Sequence, residues 1–238
     1  MPLLVVVIIL QAYNTSVLNE LNNYKDKVWL HRTNSLEKMM EKEERFPNFE
    51  VDLVFRKNEL FDVTHDADTT FNLGIGQYLA DIARDNDRMW MDIKNLNNKN
   101  ASYMLRTLDS LRHHYHVSKE QLIIESKDVN ALNHFTRAGY YTSYYVSFDK
   151  PDNLSDEEVD ACIAQLQRIA DSGKVEALAF PGWWYDEISE NLHRDIDLLT
   201  WKHRTTKFGL LALPSNREML EDPQVKVILV KSKGKYHR

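Results

Sequence analysis

The 238 residues are enough for one large domain or two small ones, and far exceed a small module that needs stapling. With 43% hydrophobic and 28% charged residues, the chain can bury a substantial core under a soluble surface, which excludes wholesale disorder and a multi-span membrane protein. Lys and Arg total 30 against 36 Asp and Glu; the net charge of −6 argues against a duplex nucleic acid partner, and the single Cys162 excludes an internal disulfide framework.

In chain order, the first feature is the uncharged run Leu3 to Leu10. It is shorter than the roughly 18–20 residues a spanning helix needs, and no basic flank precedes it. Two readings stay open: a packed segment of a cytoplasmic protein, or a truncated anchor or signal core that gives peripheral membrane or envelope association. Residues 1–24 are therefore set apart as an apolar lead-in, and 25–238 form one domain.

Short β-branched or aromatic runs then alternate with longer amphipathic stretches, a βα pattern that implies a largely parallel sheet. Nine runs read as strands: Lys27 to Leu30, Phe49 to Phe55, Leu60 to Thr64, Arg88 to Ile93, Gln121 to Ile124, Tyr141 to Ser147, Val175 to Phe180, Asp197 to Trp201 and Val225 to Val230. A closed (β/α)8 TIM barrel needs eight. Leu60 to Thr64 is the extra one, because the turn Arg56-Lys57-Asn58-Glu59 is too short for a crossover helix and long enough for a hairpin. Ser35 is placed to cap a helix through Leu36, Met39 and Met40. Ser155-Asp156-Glu157-Glu158 has the spacing of a capping box before Val159, Ile163, Leu166 and Ile169, and Ser172-Gly173 ends that helix. The basic tail from Lys231 to Arg238 reads as a solvated end.

The chemistry gathers in the first hundred residues. His31-Arg32 follows one strand, Glu50-Val51-Asp52 lies in the next, His65-Asp66 ends a third and Asp92-Ile93-Lys94 ends a fourth. Side chains two apart on a strand share a face, so Glu50 joins Asp52, and Asp92 joins Lys94. Phe49, Val51, Leu53 and Phe55 take the opposite face, which turns the acidic pair into the barrel interior. Glu50, Asp52 and Asp92 together offer hard oxygen ligands suited to one Mg²⁺ or Ca²⁺. His31 and His65 titrate near neutrality, and Arg32 and Lys94 carry fixed positive charge suited to phosphate.

This ordered set resembles the signature of the glycerophosphodiester phosphodiesterases and the wider phospholipase-C-like phosphodiesterase superfamily, which are (β/α)8 barrels. His31-Arg32-Thr33-Asn34-Ser35 is also similar to a shorter form of the pattern found in the menorin family. Three departures are visible: Thr33 stands where glycine usually follows His-Arg, Asp92 stands where Glu is usual, and the Pro-Glu-Asn-Thr stretch common in the bacterial diesterases is missing. The resemblance implies a metal-dependent phosphodiester hydrolase acting on a small phosphodiester, with His31 and His65 as acid and base and Glu50, Asp52 and Asp92 around the cation. Arg32 and Lys94 would neutralise phosphate, and Asn34 would hydrogen-bond near it.

Other residues carry competing readings. Glu125, at the end of the fourth parallel-type run, is placed either to accept a substrate hydroxyl or simply on the surface. Trp183, after Phe180-Pro181-Gly182, is placed to form an aromatic wall at the mouth, with Trp201 as a lesser candidate. His113-His114-x-His116 reads as a helix end complementing the dipole rather than a metal tract, and Cys162 as an inert thiol in an amphipathic helix. The rival to an enzyme is a noncatalytic barrel that binds a phosphorylated glycan or lipid headgroup. A sugar-cleaving barrel is disfavoured, because carboxylates two apart on one strand cannot flank a glycosidic bond.

Overall fold

The structure is a computed structural model that describes residues 22–42, 46–193, 196–201, 210 and 214–231. The run Leu3 to Leu10 and the tail beyond Lys231 lie outside the described residues, so the readings attached to them stay with the sequence. No helix among the described residues is long and apolar enough to cross a membrane.

Eight parallel strands close into a (β/α)8 barrel. They are β1 (Val28–Leu30), β2 (Phe49–Phe55), β4 (Met89–Ile93), β5 (Leu122–Ser126), β6 (Tyr141–Tyr145), β7 (Ala177–Pro181), β8 (Asp197–Trp201) and β9 (Val225–Val230), with β1 pairing both β9 and β2. The ninth strand, β3 (Phe61–Val63), pairs antiparallel with β2 alone, as the short turn before it requires. Between the strands run α1 (Leu36–Lys42), α2 (Gly76–Asp85), α3 (Ala101–Tyr115), α4 (Val129–Arg137), α5 (Asp156–Asp171), α6 (Tyr185–Asn191) and α7 (Pro214–Glu221).

Local chemistry accounts for the helix ends. Ser155 Oγ accepts from the Glu158 N–H while Glu158 Oε2 accepts from the Ser155 N–H, which is the capping box read from the sequence. Ser35 Oγ accepts from the Lys38 N–H, and Asp128 Oδ1 accepts from the N–H groups of Asn130 and Ala131. α3 stops at His116, which turns left-handed at φ 60° and donates its N–H to the carbonyls of Arg112 and His113. The histidine tract is thus a helix terminus.

Strand alternation divides the core in two. Outward residues such as Val51, Leu53, Met91, Ile93 and Ile124 pack with helix residues such as Leu79, Leu108, Phe135 and Leu166. Inward residues Trp29, Trp90, Ile123, Ala177, Ala179, Leu199, Trp201, Val227 and Leu229 form a second cluster that plugs the barrel. The several strand boundaries that differ from expectation do so by one or two residues. The one that matters is β5, which runs on to Ser126 and so holds Glu125 inside the sheet.

Two details of pairing position the site. β1 is only three residues long and meets β2 at the single register Leu30↔Phe49, so the upper edge of β2 is free of β1. β3 descends along that edge, with Phe61 opposite Phe55 and Val63 opposite Leu53, and the Thr64 N–H donates to the Asp52 carbonyl at 3.0 Å. The hairpin therefore carries His65 back down toward the residues that follow β1.

Candidate functional site

Parallel register sets the acids side by side. Asp52 lies opposite Asp92, Asp92 opposite Glu125 and Glu125 opposite Ser143, giving one lateral row across four strands; Glu50, Trp90 and Ile123 form the row beneath. Glu50, Asp52, Asp92 and Glu125 are between 1% and 8% exposed. Each of Glu50, Asp52 and Asp92 offers a carboxylate oxygen within 4.8 Å of the others, and this is the one such group of potential metal ligands among the described residues. His31, Arg32, His65, Lys94, Glu125, Tyr145 and Trp201 join them around a pocket of about 50 Å³ at the carboxyl ends of the strands.

The strand-end turn after β1 is built to face this row. Arg32 has φ 55°, a left-handed conformation that is strained for a residue with a Cβ. It lets the Arg32 N–H donate to Glu50 Oε2 at 2.6 Å while the Thr33 N–H donates to the Glu50 carbonyl at 2.8 Å. The buried Lys38 ammonium fixes the same turn from behind, donating to the carbonyls of His31 and Arg32 at 2.7 and 2.6 Å.

Asn34 has a different place from the phosphate contact expected of it. Its Nδ2 donates to Asp52 Oδ2 at 2.7 Å and its Oδ1 accepts from the Asp52 N–H at 3.0 Å. The side chain thus fills the gap on the β2 edge between the β1 turn and the end of β3, doing there what a backbone neighbour does elsewhere in a sheet. It orients an acid and does not line the pocket.

His65 is set by its neighbours. Arg32 Nη2 donates to His65 Nε2 at 2.9 Å, so the ring proton sits on Nδ1 and is donated to Asp66 Oδ1 at 2.7 Å. His31 is 8% exposed; its Nε2 lies 3.7 Å from Glu50 Oε2 and its Nδ1 has no hydrogen-bond partner. Burial, only partly offset by Asp52, pushes its pKa down to about 3, so the ring is neutral.

The acids are shifted in different directions. Burial and then the neighbouring carboxylates Asp52 and Asp92 push Glu50 well up, and burial with Asp92 does the same to Glu125. Asp92 is also raised, chiefly by burial. At Asp52 burial is outweighed by the Lys94 charge and by hydrogen bonds from Lys94 and Asn34, and the group is held below its usual value. The Lys94 ammonium lies 2.5 Å from Asp52 Oδ1 and also contacts Asp92 Oδ2.

The donor set fits a hard divalent cation. Four carboxylates line the pocket against the two cationic side chains Arg32 and Lys94, and Glu125 Oε2 is buried with no hydrogen-bond partner. Packing acids in this way without a compensating charge is costly, and an ion ligated by oxygens would relieve it.

Trp183 does not reach the pocket. The chain turns outward after β7 through a 3-10 turn, Gly182–Trp184, that feeds α6; Trp183 packs against the outer core and lies under the Lys150 ammonium, 5.0 Å from its ring. The aromatic wall is made by Trp201 and Tyr145, stacked at 4.7 Å. Tyr145 and Lys38 had been missed from the sequence. Strand parity with Ser143 signals the first, and nothing in the local pattern signals the second.

No protein-family model matches the chain, and no curated protein matches it in sequence. Solved structures do. A glycerophosphodiester phosphodiesterase from Parabacteroides distasonis is similar over 87% of this chain and 93% of its own, with TM-score 0.58 and 14% identity. The carboxyl transferase domain of Rhizobium etli pyruvate carboxylase, solved with 3-bromopyruvate, is similar over 93% of this chain and 43% of its own, with TM-score 0.51 and 9% identity. Likeness at these identities shows the TIM-barrel fold alone, and the buried acidic triad is a feature of this chain's own structure. Barrels of that class host many chemistries, so function rests on the site.

Proposed function

We propose that the chain is a divalent-cation-dependent phosphodiesterase that cleaves a small, glycerophosphodiester-like substrate. The observation that carries this reading is the clustering of Glu50, Asp52 and Asp92 within 4.8 Å, in a pocket that two imidazoles and two cationic side chains also line. A Mg²⁺ or Ca²⁺ held by the three acids would supply Lewis-acid stabilisation of charge on the phosphate oxygens. Arg32 and Lys94 neutralise the rest of that charge. One imidazole accepts the proton of the attacking hydroxyl and the other protonates the departing oxygen. The neutral His31 ring has proton-accepting capacity, and Asp66 holds His65 in a single tautomer.

One observation favours the rival reading of a noncatalytic barrel that binds a phosphorylated glycan or lipid headgroup: Arg32 occupies His65 Nε2, the nitrogen that would handle a proton. Turnover requires Arg32 to leave that nitrogen for the substrate phosphate. The deciding experiment is hydrolysis of a generic aryl phosphodiester with Mg²⁺ or Ca²⁺ against chelator. We expect cation-dependent turnover that falls at least 10²-fold in both His31→Ala and His65→Ala, with circular dichroism unchanged. Diester binding without turnover in the wild type would favour the binding protein. Calorimetry adds a check on the ligands: Asp92→Asn should bind either cation more weakly, and equal binding removes Asp92 from the set.

A further inference from the structure

Beside the pocket a groove of about 750 Å³ opens to solvent; His65, Asp92, Lys94 and Tyr145 line both spaces, and Ser126 and Lys127 complete one wall of the groove. A diester whose phosphorus sits at the acids has room to send one of its two arms this way. We propose that Lys127 sorts substrates by the charge of that arm, favouring an alcohol that carries a carboxylate or other anion and disfavouring a quaternary ammonium; the inference rests on the phosphodiesterase reading above.

Three observations support it. Lys127 is exposed and has no carboxylate partner among the described residues, whereas Lys94, deeper in, is already paired with Asp52 and Asp92. Its ammonium lies 4.7 Å from the centre of the Tyr145 ring, whose other neighbour is the stacked Trp201. An aromatic face of this kind is what a cationic headgroup seeks, and here a protein cation covers it. Its backbone is also firmly held: Ser126 Oγ donates to the Leu96 carbonyl and accepts from the Asp128 N–H, while Asp128 Oδ2 accepts from the Asn98 N–H. The charge is thus fixed at the rim instead of riding on a loose loop. Asp66 and Asp68 line the same groove and carry the opposite charge, and they are the groups that would reverse the preference if the arm lay against them.

The test uses three phosphodiesters that share one arm and differ in the second, which ends in a carboxylate, a hydroxymethyl or a trimethylammonium group. Affinity is read by calorimetry on non-hydrolysable phosphonate versions, and kcat/KM on the diesters themselves. We expect the wild type to prefer the carboxylate over the trimethylammonium arm by about fivefold or more, as one exposed charge pair allows. Lys127→Ala should erase that ratio, Lys127→Arg keep it and Lys127→Glu invert it. A ratio unchanged in Lys127→Ala, or a wild-type preference for the cationic arm, overturns the proposal. Absence of turnover for all three diesters would instead count against the phosphodiesterase reading, while the affinity ratio still judges Lys127.

Discussion

Asp52 is held from several directions at once: Asn34 grips both its carboxylate and its N–H, Thr64 donates to its carbonyl and Lys94 lies against its other oxygen. Removing the Asn34 amide leaves a buried N–H and a carboxylate oxygen without their partner, at a cost of about 1–3 kcal/mol. We therefore expect Asn34→Ala to lower the melting temperature and to weaken Mg²⁺ or Ca²⁺ binding about 10–100-fold, as losses behind a metal ligand do; calorimetry reads the second effect directly. Unchanged cation affinity would mean that Asp52 keeps its orientation unaided. Residue identities at this scale were legible from strand parity and from the pairs at successive strand ends. The use made of Asn34 was not, because it depends on the edge that β2 leaves open between the β1 turn and β3, a meeting of distant segments that no local pattern carries. The left-handed Arg32 was hidden for a similar reason, since no glycine marks the turn.

At the scale of elements, the β2–β3 hairpin is what brings His65 to Arg32, and Arg56 at its turn pins the loop beyond it. The guanidinium pairs with the fully buried Asp62 at 2.9 Å and donates to the carbonyls of Ala67 and Thr69. Arg56→Ala strands a buried carboxylate, and we expect a loss of about 3 kcal/mol in urea unfolding together with reduced activity through displacement of His65. The double variant Arg56→Met/Asp62→Leu should recover much of the stability and little of the activity. Equal activity in the single variant would show that His65 does not need the clamp. The hairpin itself was readable, since four polar residues cannot cross a barrel. The aromatic wall was misread at Trp183 because neighbouring aromatics after a strand look alike in sequence, and only the outward 3-10 turn separates those that pack outside from Trp201 and Tyr145.

For the whole molecule, the buried acids tie stability to pH and to ions. Glu50 and Glu125 bind protons more tightly folded than unfolded, so their contribution is complete below about 4.5 and is lost as pH rises through their raised values. His31 acts in the opposite sense: its pKa of about 3 against the usual 6.5 gives a contribution that is present above 6.5 and lost as pH falls toward 3. Lys38, brought down to about 8, stabilises as pH climbs from there toward 10.5. In chelator the acids should lower the melting temperature as pH rises through their raised values, and a cation at a hundred times its Kd should restore about 2.7 kcal/mol. A flat profile in chelator would contradict the burial of uncompensated acids. The barrel as a whole was legible from alternation alone, whereas the ring's closure depends on Leu30↔Phe49, a lone rung between its first and second staves. Amide exchange should start there, at Leu30 and Thr33, and an ion bridging β2 and β4 while a phosphate spans Arg32 and Lys94 would slow it. Occupancy would thus act as a rivet, making the least protected joint of the ring a reporter of whether the mouth is filled.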